Sequence, residues 1–251
     1  MSGHSKWATT KHKKAAVDEK RAKVFSKLSK EISVAARQGG DPDFNFQLRL
    51  AIDRAKAENM PKDNIDRAIA KGAGGGEGGE LKEIVYEGFG PAGTAVIVIA
   101  LTDNLNRTAS EIKHIFSKNG GSLAGPGAVM WQFEKLGVIR FCSTPCNQGG
   151  VSARGGCALG AGGGLELKLI EAGAEDIEHD EDEIIIYTKV ENLKKVKDAV
   201  DKEGIKIESA DIEYVPKEEK ELNEGDEEKV ERLLDALDDS DDVSDIFTNI
   251  K

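Results

Sequence analysis

The chain has 251 residues and a mass of 27.0 kDa, enough to bury a core without disulfides or structural metals. Hydrophobic residues make up 39% and charged residues 32%, the balance of a globular chain in water, and no apolar run is long enough for a membrane helix. The formal charge of −11 argues by itself against nucleic acid, yet residues 1–71 carry 16 Lys and Arg against 9 Asp and Glu (net +7), while the rest carries 19 against 37 (net −18).

The first segment is rich in Lys and Ala, has no Pro or Gly from Trp7 until Gly39, and predicts a long helix. Phe25, Leu28, Ile32 and Ala35/Ala36 form its apolar stripe. Lys20, Lys23, Lys27 and Lys30 repeat that spacing on another face, centred about 140° away. One stripe is expected to pack inward and the other to project into solvent. Gly39-Gly40 ends the helix and Asp41-Pro42-Asp43 turns the chain. A second helix is predicted from about Asn45 to Asn59, with the apolar stripe Leu48, Ala51/Ile52 and Ala55, and a third from Pro61 to Gly72, with Ile65, Ala68 and Ile69 inward; the three helices together make a small bundle. Gly72 to Gly79 is a glycine-rich joint. Its Gly74, Gly76 and Gly79 satisfy G-x-G-x-x-G, but a phosphate loop needs a strand before and a helix after. Here the order is reversed, so the segment reads as a linker.

Strands follow at Ile84–Phe89 and Thr94–Leu101, then a helix from about Arg107 to Lys118 and a strand candidate at Val129–Phe133. The third region reads Val138–Phe141 (strand), a helix ending at Leu165–Ala172, Asp176–His179 and Glu183–Thr188 (strands), Val190–Lys202 (helix) and Ile207–Val215 (strand). That β-α-β-β-α-β order is the ferredoxin-like split βαβ motif. The acidic stretch Lys217–Asp245 carries a helical stripe at Val230, Leu233, Leu234 and Leu237.

Enzyme signatures are missing: no Walker A sequence, no H-E-x-x-H, no G-x-S-x-G, and four scattered histidines. No nucleophile lies beside an evident base, so a non-catalytic protein is expected. Cys142, Cys146 and Cys157 lack a fourth ligand before His179; they read as incidental thiols, and no metal, cofactor or small-molecule substrate is expected. The odd cysteine count and the polar start Met1–Trp7 point to the cytoplasm.

The basic head is the stronger signal. Lys6, Lys11, Lys13, Lys14, Lys20, Arg21, Lys23, Lys27 and Lys30 fall in the first 30 residues, opposed there only by Asp18 and Glu19. Such residues supply salt-dependent phosphate contacts with little sequence preference. His4 and His12 lie among them, and Trp7 is placed to stack on an exposed base. The competing reading is a solvated helix face with Trp7 anchoring the N-terminus. Arg107, on the loop after the second strand, is a further candidate contact.

These residues also carry a family resemblance. Gly3-His4-Ser5-Lys6-Trp7 with Lys11-His12-Lys13-Lys14, then Asn59-Met60-Pro61-Lys62-Asp63-Asn64-Ile65, Tyr86–Pro91, Leu101–Thr108 and Phe116–Gly121, resemble the signatures of the YebC/PmpR family. Glu171–Asp176 resumes the match. The resemblance implies a multidomain α and α+β protein. Its parts are an N-terminal three-helix bundle (1–79), a discontinuous α+β domain (80–134 plus 216–251) and an inserted ferredoxin-like α+β domain (135–215). It implies a cytoplasmic, DNA-binding transcriptional regulator; the alternative is a translation factor bound to ribosomal RNA or the ribosome, assisting difficult peptide sequences. It fixes no catalytic residue, and oligomeric state stays open. One segment departs from the pattern: Cys142–Gly164 holds 8 Gly, all 3 Cys and a single charge, Arg154, where the family carries a charged linker and most of a helix. Two compensating frameshifts account for such a replacement; a genuine flexible insertion is the other reading, and resequencing the source DNA separates them.

Overall fold

Helix α1 runs Lys6–Ala35 and tightens into a 3₁₀ turn at Ala36–Gln38. The computed structural model describes residues 6–75, 81–142, 164–179 and 183–251, with the backbone alone for 6–20. After α1 come α2 (Phe46–Ala57) and α3 (Lys62–Ala70). Leu28 and Ile32 of α1 and Ala36 of the 3₁₀ turn pack with Leu48, Ile52, Ala55, Met60, Ile65 and Ala68; all but Met60 belong to the apolar stripes read from the sequence. Asn45 joins the first two helices. Its side chain accepts from the Leu48 N–H at 3.1 Å, capping α2, and donates to the carbonyls of Ala35 (2.7 Å) and Gly39 (2.8 Å). The chain leaving α3 presses on α1 so closely that a Cβ at Gly72 would stand 2.2 Å from the Ser33 carbonyl oxygen.

The next elements build a four-stranded antiparallel sheet from β1 (Lys82–Phe89), β2 (Ala95–Thr102), β3 (Ser122–Leu123) and, from the far end of the chain, β8 (Val243–Thr248). The strand order is β3-β1-β2-β8. Central β2 is buried along nearly its whole length, which its Val96-Ile97-Val98-Ile99 run requires. Helices α4 (Leu105–Lys118) and α7 (Glu224–Asp238) belong to the same layer pair. Val96, Val98 and Ala100 meet Ile112 and Phe116 of α4 and Leu233 and Leu237 of α7. Each of these buried side chains other than Ala100 contributes about 1.5–3 kcal/mol. Helix bundle and sheet together form one compact unit, Met1–Met130 with Glu219–Lys251.

The second unit, Trp131–Glu218, is a four-stranded antiparallel sheet of β4 (Phe133–Cys142), β5 (Ala174–His179), β6 (Glu183–Lys189) and β7 (Ile207–Pro216), with α5 (Gly164–Ala172) and α6 (Leu193–Lys202). Its order is β5-β6-β4-β7, so the two strands that begin the β-α-β-β-α-β sequence are not neighbours. The protein is thus a mixed helix-and-sheet molecule with two antiparallel sheets.

Two expectations change. Val129–Phe133 is not a strand: the N–H groups of Gly127 (2.6 Å), Val129 (2.8 Å) and Met130 (2.8 Å) are taken by the Glu87 carboxylate, so no ladder forms before Phe133. Burial pushes the Glu87 carboxyl up, but those three amides outweigh it and hold it below its ordinary value. Strand β8, for its part, begins inside the acidic stretch and is not among the elements that the sequence predicts. Most of the unusual segment, 143–163, and the second half of the glycine joint, 76–79, lie outside the described residues. No described helix is long and apolar enough to cross a membrane.

Candidate nucleic-acid interface

Lys23, Lys27 and Lys30 of the α1 stripe do not project freely into solvent, as the periodicity suggests; the Lys20 side chain lies outside the described residues. The chain's C-terminal part returns to it. Lys23 Nζ donates to Asp239 Oδ1 at 3.2 Å, Lys27 Nζ to Asp238 Oδ1 at 2.7 Å, and Lys30 Nζ to Asp242 Oδ1 at 2.9 Å. Lys27 and Lys30 also donate to the backbone carbonyls of Asp238 and Asp241. The result is a seam between one face of α1 and the end of α7 with the turn into β8. Its outer acids are loosely held: the Asp239 and Asp238 side chains are 80% and 76% exposed. Exposed pairs of this kind contribute only about 0–1 kcal/mol.

The inner end of the seam is different. The Asp242 side chain is only 7% exposed. Its Oδ2 accepts from Arg107 (2.8 Å) and from the Thr108 hydroxyl (2.8 Å), opposite the bond from Lys30. Burial pushes this carboxyl up, yet Lys30, Arg107 and Thr108 together prevail and hold it at about 2. Its backbone carbonyl also accepts from the Leu101 N–H at 2.8 Å, which ties the turn to the end of β2. Arg107 therefore sits on this carboxylate and on Asp103 (3.2 Å), with 53% of its side chain still exposed. A second node lies alongside. Arg54 reaches Asp245 at 2.6 Å and Glu31 at 3.4 Å, and Ser244 donates to Glu31 at 2.7 Å.

The opposite flank of α1 carries another kind of surface. A groove of about 440 Å³ opens between α1 and α3, lined among others by Phe25, Ser26, Ser29, Arg67 and Lys71. No carboxylate lines it among the described residues. Arg67 is exposed, and its fork is steadied by the Asp63 carbonyl (3.1 Å) and by Asn64. The Lys71 backbone N–H closes α3 on the carbonyls of Arg67 and Ala68, while its ammonium is exposed and makes no hydrogen bond among the described residues. Beside them the Arg21 guanidinium lies over the Phe25 ring, 5.3 Å from its centre. Cations, hydroxyls and an amide around a cleft without acids are the groups that contact a phosphate–sugar backbone.

Both known-protein signatures and whole-chain relatives match this fold. Residues 5–75 match the TACO1/YebC protein N-terminal domain, and residues 81–250 match the TACO1/YebC second and third domain. The chain belongs to the YebC family. A probable transcriptional regulatory protein of Caldanaerobacter subterraneus subsp. tengcongensis is 48% identical over 252 residues, covering 100% of this chain and 98% of the relative. One of Brachyspira hyodysenteriae is 47% identical over 257 residues, covering 100% of this chain and 97% of the relative. The crystal structure of a conserved hypothetical protein, Aq1575 from Aquifex aeolicus, is 44% identical and superposes with a TM-score of 0.78, covering 94% of this chain and 92% of that one.

Against this YebC-family frame the candidate residues sort into three groups. His4 lies outside the described residues, as do the side chains of Lys6, Trp7, Lys11, His12, Lys13, Lys14 and Lys20, whose backbones from Lys6 onward belong to α1. Lys23, Lys27, Lys30 and Arg107 converge on the seam, each on a carboxylate. Arg67 and Lys71 were not singled out by the sequence. They lie outside the Lys-rich head, on α3 and just after it, and only the packing of α3 against α1 brings them beside Ser26 and Ser29. The signal that could have found them was the helical spacing of Arg67 and Lys71, four residues apart on one face.

Proposed function

We propose that the chain is a non-catalytic, nucleic-acid-binding regulator of transcription, acting in the cytoplasm on DNA through the basic head and the α1–α3 groove. The observation that carries this reading is the groove: Arg67 and Lys71 flank serine hydroxyls in a cleft that no described carboxylate lines, in a chain whose overall charge is −11. An acidic remainder limits non-specific wrapping and leaves one competent face. The names of the relatives, probable transcriptional regulatory proteins, agree with a regulatory role. The working division is a helical bundle (1–79), an α+β domain (80–134 with 216–251) and an inserted ferredoxin-like domain (135–215), with nucleic acid contacting the first.

Crosslinking the protein in cells and sequencing both bound DNA and bound RNA tests the target. Enrichment of promoter DNA is expected; predominant recovery of ribosomal RNA would replace this reading with a ribosome-bound translation factor. In vitro, Arg67→Ala with Lys71→Ala should weaken binding across sequences and flatten the dependence of log affinity on log salt by about 1.4–1.8, at roughly 0.7–0.9 per lost phosphate contact. An unchanged slope would move the contact out of the groove.

A further inference from the structure

The seam on the other flank of α1 has a chemistry of its own. Lys23 and Lys27 stand one helical turn apart, each on a carboxylate that is itself mostly in water. Asp238 and Asp239 thus stand where successive anionic groups of a polyanion would stand. Lys30 is different, because its partner Asp242 is buried and is shared with Arg107 and Thr108. A cleft of about 530 Å³ opens beside the outer pairs, lined among others by Lys23, Lys27, Arg54, Asp235 and Glu58. The carboxylates of the outer two pairs therefore lie open to exchange with a competing anion, over lysines whose own side chains are 39% (Lys23) and 13% (Lys27) exposed, while the inner pair holds the turn in place.

We propose that Lys23 and Lys27 form a second phosphodiester-binding face of α1, kept occupied in the free protein by Asp238 and Asp239 and exchanged onto nucleic-acid phosphates on binding. The proposal rests on the nucleic-acid reading above and adds a self-competing site to it. The two aspartates act as internal stand-ins for phosphate. They lower affinity for short or weakly charged anions, while a long polyanion, which meets the α1–α3 groove as well, displaces them. The exchange also shapes the salt response. Phosphates release condensed counterions when lysines neutralise them, but the displaced carboxylates then attract cations from solution, so the net release is reduced.

The test uses the full chain and its Asp238→Asn/Asp239→Asn variant, with a random-sequence DNA duplex and a random-sequence single-stranded RNA as fluorescent probes across a salt series. The variant is expected to bind both probes more tightly at low salt and to show a steeper salt slope, by up to about 1.4–1.8 for two lysines. A second variant, Glu224→Gln/Glu227→Gln, removes the same charge from the exposed start of α7 and controls for net charge. It should change affinity much less. Adding Lys23→Gln and Lys27→Gln to the first variant should abolish its gain. If the wild-type chain binds and the aspartate variant matches it in affinity and slope, or gains no more than the charge control, the self-competition is overturned while the nucleic-acid reading stands. If neither chain binds either probe, both fall together. Tighter binding of one probe alone identifies which nucleic acid the face accepts.

Discussion

Asp242 concentrates more of the structure than any other polar side chain described. One carboxylate oxygen meets Lys30, the other meets Arg107 and Thr108, and its backbone carbonyl closes on Leu101. Removing it leaves two cations facing each other across an emptied buried site. Asp242→Ala is expected to destabilise the protein by about 2–4 kcal/mol, read from urea unfolding. The pH dependence follows from the same contacts. The folded carboxyl titrates at about 2, below its ordinary 3.8, so its contribution is fully present above about pH 4 and is lost as pH falls through about 2. Urea midpoints of the wild type should fall across that window, and Asp242→Asn should fall less steeply there. None of this was visible in the sequence, where Asp242 is one of many acids in an acidic run. What distinguishes it is its place at the bend before β8, a position that only the tertiary return of the chain creates.

At the scale of elements, the helices were legible because their stripes repeat at 3.6 residues. The bundle core of Leu28, Ile32, Leu48, Ile65 and Ala68 is the set those stripes named. The β-α-β-β-α-β order of the second sheet was legible for a similar reason, since turns and short apolar runs alternate there. Two short segments were not. Val129 is apolar and buried like a strand residue, but its amide serves Glu87, a side chain 42 residues earlier. Strand β8, Val243–Thr248, has too short and too polar a pattern to be recognised without β2 as its neighbour. The groove belongs to this scale as well, because it exists only where α3 packs on α1. Gly72→Ala would drive a methyl against the Ser33 carbonyl and the Ala36 side chain, 2.7 Å away. It should cost about 1–3 kcal/mol and weaken nucleic-acid binding by spreading the groove, while Gly74→Ala, with no atom within 4 Å of its Cβ but a φ of 105°, tests backbone strain alone. Comparing urea midpoints with probe affinities for the two variants separates packing from strain.

For the molecule as a whole, the division into Met1–Met130 with Glu219–Lys251 and Trp131–Glu218 gives each sheet its own core. Val138, Ile139, Ile184 and Ile186 are buried in the second unit, and Val96, Val98 and Phe116 in the first. Separate cores predict separate opening. Hydrogen exchange should show Asp242→Ala accelerating peptides from β1, β2 and α4 while β6 and β7 keep their wild-type rates. Equal acceleration everywhere would mean that the two units unfold as one. The uneven charge read at the outset acquires a structural meaning at this scale. The positive N-terminal part and the acidic C-terminal part are folded face to face within the first unit, so part of the +7 is cancelled locally before any partner arrives.

Lys30 and Asp242 are 212 positions apart. On a growing polypeptide Lys23, Lys27 and Lys30 emerge long before the aspartates that pair with them, and α1–α3 can fold from local contacts alone while the outer edge of β2 still waits for β8. For that interval of synthesis α1 carries its full positive charge. Completion of the chain closes the edge and brings the aspartates onto Lys23, Lys27 and Lys30, so the order of translation itself sets when these three lysines acquire their partners.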